Sequence, residues 1–95
     1  MRNYELTYIL RSDLDEEALA ATVEKFTNLI KNNGGESVEV EKWGKRRLAY
    51  TIDKNTEGYY YIVNYKGEPA TSHEAERVLK ISDEVIRHLV IRKEE

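Results

Sequence analysis

Tyr59-Tyr60-Tyr61-Ile62-Val63-Asn64-Tyr65 is the stretch on which the reading of the fold hangs. Aromatic and β-branched residues dominate it, a composition that suits a pleated, half-buried strand. Its two faces are unequal. Tyr59, Tyr61, Val63 and Tyr65 form the richer face and are expected inward; Tyr60, Ile62 and Asn64 form the other. Residues 53–58, Asp-Lys-Asn-Thr-Glu-Gly, are turn chemistry. So short a connection makes this strand the antiparallel hairpin partner of the strand before it.

That preceding strand spans 38–52, longer than the usual strand of about 5–6 residues. Val38, Val40, Leu48, Tyr50 and Ile52 share one parity and read as its buried face. Trp43 has the opposite parity and falls away from the core. Gly44 beside it marks a bend or bulge. Lys42, Lys45, Arg46 and Arg47 crowd into six positions of a chain whose net charge is −3. A cationic knot on an acidic protein suggests a surface that meets something negative. The plainer reading is a charged strand that blocks edge aggregation; the outward Trp favours a binding surface.

The rest of the chain supplies two helices and two more strands. Residues 2–10 alternate as a strand with Tyr4, Leu6, Tyr8 and Leu10 on one face. Ser12 or Asp13 caps a first helix, Asp13 and Glu16 having capping-box spacing. Leu19, Val23, Phe26 and Ile30 are its apolar stripe, and Asn33-Gly34-Gly35 ends it. Pro69 opens a second helix with Thr71 and Glu74 at capping-box spacing and Ala75, Val78 and Leu79 as its stripe. Residues 85–92 are the last strand. Ile86 and Val90 lie on one face; Val85, Leu89 and Ile91 lie on the other.

The order βαββαβ, with right-handed crossovers, places both helices on one face of a four-stranded antiparallel sheet. This is a ferredoxin-like α+β fold, expected as a single domain over residues 1–95 with the first and third strands central. The opposite sheet face has no cover of its own, so Ile9, Tyr60, Ile62, Leu89 and Ile91 are expected to be exposed there as a partner surface.

Composition narrows the function. No cysteine is present, which excludes disulfides and thiolate catalysis. No apolar run approaches a membrane span and no signal-peptide core opens the chain, so the expected location is cytoplasmic. His73 and His88 are not at metal-ligand spacing, no phosphate-cradling glycine loop follows a strand, and the acids 15–17 suit a helix dipole. No enzyme activity and no cofactor are expected. The basic residues outside the helices fall into two groups: Lys42, Lys45, Arg46 and Arg47, and Arg87, Arg92 and Lys93, with Arg2 joining the second if the first and last strands pair. Such groups supply salt-dependent contacts to phosphate.

Met1-Arg2-Asn3-Tyr4-Glu5, the block Trp43-Gly44-Lys45-Arg46-Arg47-Leu48-Ala49-Tyr50 with Ile52, and Ile81-Ser82-Asp83 with Val85-Ile86-Arg87 resemble bacterial small-subunit ribosomal protein six. The resemblance runs over essentially the whole chain. It implies a structural ribosomal protein, monomeric when isolated, that binds the central domain of 16S ribosomal RNA together with small-subunit ribosomal protein eighteen. Carried over, Arg2, Arg87 and Arg92 are expected near RNA, and Lys93, from the same basic group, is expected to join them. Lys45, Arg46 and Arg47 form the basic part of a protruding hairpin. Trp43, Tyr60, Ile62, Leu89 and Ile91 are expected at the partner protein. Thr51 stands where the family often has Pro. The chain stops at Lys93-Glu94-Glu95, without the long acidic tail of some members, so tail modification is not expected. Two other readings share the topology. A free-standing RNA-recognition module would display Tyr59 and Tyr61 on the open sheet to stack on bases. An acylphosphatase-like enzyme would need an anion-cradling loop beside Arg11, and no glycine-rich loop is there.

Overall fold

Alternation and helical periodicity resolve into six elements: β1 (Arg2–Arg11), α1 (Glu16–Asn32), β2 (Glu36–Ile52), β3 (Asn55–Gly67), α2 (Pro69–Ile81) and β4 (Val85–Lys93). The computed structural model describes residues 1–52 and 54–93. Asp53 of the expected turn and the Glu94-Glu95 end lie outside the described residues. The strands form one antiparallel sheet in the order β2-β3-β1-β4, with β1 and β3 central. This is the ferredoxin-like arrangement that the element order implies. The expected turn over 53–58 is shorter than anticipated, because β3 begins at Asn55.

The core lies between the sheet and the two helices. β1 gives Tyr4, Leu6, Tyr8 and Leu10; β3 gives Tyr61, Val63 and Tyr65; α1 gives Leu19, Val23, Phe26 and Ile30; α2 gives Ala75 and Leu79. Tyr59 and Val78 pack at its margin. Tyrosines pair across the central strands, Tyr4 on Tyr65 and Tyr8 on Tyr61, each with centroids 5.5 Å apart, while Phe26 meets Tyr8 edge-on. Such pairs add about 0.5–1.5 kcal/mol each beyond burial.

Both helix starts differ from the expected caps. α1 is capped by Asp15, whose carboxylate accepts from the Ala18 amide at 2.8 Å. Asp13 instead lies 3.4 Å from the Arg11 guanidinium. α2 begins at Pro69 with no side-chain cap. The Thr71 hydroxyl donates to the Asn33 carbonyl at 2.7 Å, tying the start of α2 to the end of α1, and Glu74 pairs with Arg77. Ser72 is buried against the Tyr65 hydroxyl at 2.6 Å.

Bulges redirect two strands. On β2, Lys42 pairs with Tyr61 but Gly44 pairs with Tyr60, so Trp43 is an extra residue. Gly44 takes φ +81°, a conformation that glycine enters without strain. A one-residue slip exchanges the faces of everything beyond it. Val38 and Val40 therefore lie on the helix side, whereas Gly44, Arg46 and Leu48 share the open side with Tyr60. The face expected from 38 to 52 is therefore divided: Leu48 is buried as expected, but Tyr50 is exposed, and the register shifts again between Arg47 and Ile52. On β4, Ile9 pairs with Arg87 but Leu10 pairs with Val85. This slip moves Val85 to the core, opposite to its expected face, and brings Ile86 beside Gly58 and Ile9. Ile9, expected to be exposed, is only 5% exposed.

Candidate RNA and partner interface

The basic block sits beyond the Trp43 bulge, on an arm whose side chains now alternate in the shifted register. Lys45 pairs with Tyr59, Arg46 with Gly58 and Arg47 with Glu57, and all three cations are exposed. Two of them lie over rings. The Lys45 ammonium is 5.9 Å from the centre of Tyr59, and the Arg46 guanidinium is 5.8 Å from that of Trp43. Arg46 Nε also donates to the Trp43 carbonyl at 3.2 Å, so the bulge fixes the position of its own cation. Cation–aromatic pairs of this kind hold a charge in place without neutralising it.

The arm turns back towards the sheet. Arg87, on the open face of β4, donates to the Tyr50 hydroxyl and lies over its ring at 5.8 Å. This contact joins the two edge strands across the open face. Tyr50 was missed as a surface residue because its parity reads as core until the bulge is counted. Gly44 beside Trp43 was the signal that could have found it.

The second basic group does not form one patch. Register places Arg2 and Arg92 on the helix side, as diagonal neighbours across β1 and β4. Arg87 and Lys93 lie on the open face, about 20 Å apart along β4 at the usual strand rise. Lys93 lies 3.4 Å from Glu5 and also donates to Asn64. Arg2 and Arg92 remain together, while Lys93 is engaged by an acid of its own sheet.

The apolar residues expected at the partner are largely where alternation puts them. Leu89 and Ile91 are exposed, Trp43 is 48% exposed, and Tyr60 and Ile62 are half-buried on the open face. Tyr61 is buried and Tyr59 packs at the core margin. The two rings that an RNA-recognition module would stack on bases are thus spent on the helix side. His73 and His88 border one groove between α2 and β4 with Glu76, Arg77 and Lys80, and among the described residues no group of acids and histidines could hold a metal ion.

The family model described as ribosomal protein S6 matches residues 3–92. The chain belongs to the ribosomal protein S6 family. It is 54% identical to small ribosomal subunit protein bS6 of Heliobacterium modesticaldum, over all of this chain and 99% of that one. It is 56% identical to bS6 of Moorella thermoacetica, over all of this chain and 97% of that one. Its fold is similar to the crystal structure of 30S ribosomal protein S6 from Thermotoga maritima, with a TM-score of 0.92 at 29% identity, covering 97% of this chain and 87% of that one. Ribosomal protein S6 is a structural component of the small ribosomal subunit, and the family is not one of enzymes.

Proposed function

We propose that this chain helps to assemble the small subunit by binding the central domain of 16S ribosomal RNA together with small-subunit ribosomal protein eighteen, as a single domain that is monomeric on its own. The observation that carries the reading is the arm. Lys45, Arg46 and Arg47 project from a net-acidic chain, and two of them are held over Tyr59 and Trp43. Cations placed this way bind phosphate, and the neighbouring rings offer stacking surfaces to unpaired bases. Arg2 and Arg92 supply a second cationic site on the helix side of the β1–β4 edge, and Arg87 a third on the open face.

Filter binding to a central-domain fragment of 16S RNA, with and without protein eighteen, tests this reading. Arg2→Glu with Arg92→Glu, and Arg46→Glu with Arg47→Glu, are each expected to weaken RNA binding without unfolding the chain. For every phosphate that is no longer neutralised, the salt slope should fall by roughly 0.7–0.9. Unchanged affinity in both double variants would refute it.

A further inference from the structure

Chemistry of a different kind is stored where α1 ends. Of the six asparagines in the chain, Asn33 alone is followed by glycine. Glycine has no Cβ to shield its amide nitrogen, so that nitrogen reaches the preceding side chain more readily than in other pairs. The nitrogen of Gly34, on losing its proton to base, attacks the Asn33 side-chain carbonyl carbon. An N–Cγ bond forms, the Cγ–Nδ2 bond breaks, and the amide group takes up a proton and leaves as ammonia. Water then opens the five-membered ring at one carbonyl or the other. The product is aspartate or, with the main chain rerouted through the side chain, isoaspartate. Water is the only co-reactant, and no electrons change hands.

The folded chain forbids the first step. At Asn33 ψ is 27°. Tetrahedral geometry at Cα then sets the Gly34 nitrogen nearly opposite Cβ, whereas ring closure needs the two nearly eclipsed. A rotation of well over a right angle about Cα–C separates the two arrangements, and the surroundings resist it. Asn33 Nδ2 donates to the Leu29 carbonyl at 2.8 Å, which turns the side chain back over α1. The Gly34 amide donates to the Lys31 carbonyl at 3.3 Å, and the Gly35 amide to that of Ile30 at 2.8 Å. Gly35 is seated so closely that a Cβ there would lie 2.4 Å from Ile30 Cγ2. From α2, the buried Thr71 donates its hydroxyl to the Asn33 carbonyl at 2.7 Å. That carbonyl must swing when the Cα–C bond rotates, so Thr71 latches the torsion itself. Asn33 is exposed, so water and base reach it once the latch opens.

We infer that Asn33 is a site of covalent modification gated by the α1–α2 junction. It converts to aspartate and isoaspartate when the end of α1 opens, and the products keep that end from closing as before. A carboxylate at position 33 cannot donate to Leu29, and it lies among the last carbonyls of α1, the negative end of the helix dipole. Isoaspartate adds a methylene to the main chain just before Gly34, which takes φ +91°, and Gly35, which has no room to shift.

The test follows residue 33 in the full chain at mildly alkaline pH. Peptide mass mapping reads the amide-to-acid change, and isoaspartyl methyltransferase labelling reads the rearranged product. The native chain is expected to convert at least about tenfold more slowly than the same chain in concentrated guanidinium chloride, because the reaction waits for local opening. Thr71→Val, shown to be folded by circular dichroism, is expected to convert at least about threefold faster than the native parent. Asp15→Ala loosens the opposite end of α1 and is expected to convert at the parent's rate. Chain converted in denaturant and refolded is expected to melt below unconverted chain carried through the same steps. Equal rates in native and denatured chain, or no conversion of residue 33 in denaturant, would overturn the inference. So would a Thr71→Val rate equal to the parent's, an Asp15→Ala rate as high as that of Thr71→Val, or equal melting of converted and unconverted chain. None of these readouts involves RNA or a partner protein, so the proposed function stands or falls separately.

Discussion

Two tyrosines of the core set up an experiment in which the same chemical change should have opposite signs. Tyr8 is fully buried, and its hydroxyl has no hydrogen-bond partner among the described residues. Tyr65 is also buried, but its hydroxyl lies 2.6 Å from the Ser72 oxygen. A hydroxyl taken out of water without a partner costs about 1–3 kcal/mol. Tyr8→Phe removes that cost and keeps the ring, with its stack on Tyr61 and its edge contact to Phe26, so a gain of about 1 kcal/mol is expected. Tyr65→Phe removes one partner of a buried pair and strands Ser72, a loss of about 1–3 kcal/mol. At this chain length 1 kcal/mol moves the melting temperature by about 4–8 °C. Tyr8→Phe should therefore melt about 4–8 °C higher and Tyr65→Phe at least about 4 °C lower. Urea midpoints should shift in the same directions at unchanged slope. High pH gives a second readout. Burial, with a smaller push from Tyr61, raises the Tyr8 phenol well above its ordinary value of about 10. The folded state then keeps a proton that the unfolded state releases, so stability should fall as pH rises beyond about 10. Tyr8→Phe should make that fall shallower. A Tyr8→Phe protein destabilised as much as Tyr65→Phe would refute the reasoning, because it would mean that the Tyr8 hydroxyl is satisfied.

Three further outcomes follow from the local structure. Asp15→Ala should cost about 1 kcal/mol in chemical denaturation as the true cap of α1, whereas Asp13→Ala should cost about 0.5 kcal/mol or less. Equal effects would return the cap to the upstream acid. Gly58→Ala should destabilise by about 1–3 kcal/mol, since its methyl would collide with Ile9 Cγ2 and press on Ile86; a neutral result would mean that Ile9 and Ile86 do not pack against Gly58. Trp43→Ala should change stability by no more than about 0.5 kcal/mol and weaken protein eighteen markedly. A large drop in melting temperature with normal binding would place the Trp in the core.

Much of the fold can be read from periodicity because local rules and the global packing agree. The stripe Leu19, Val23, Phe26 and Ile30 is buried as spaced, and so is the alternation of Tyr4, Leu6, Tyr8 and Leu10. Pro69 starts α2, and Asn33 and Gly34 end α1, where their backbone preferences say they should. The candidate site is legible only in part. The basic block, the exposed Trp43 and the exposed Leu89 and Ile91 can all be found by composition and parity. The face on which Arg46 and Tyr50 lie cannot, because pairing between β2 and β3 decides it.

Residue order alone dictated the element types, the two central strands, the helix-covered face and the family, since each depends on spacing within a segment or on a run of residue identities. Only the assembled sheet decided which side of it Val85 and the residues beyond Trp43 would occupy. A single inserted residue exchanges the two faces of a strand, and pairing with the neighbouring strand is what fixes where that insertion falls.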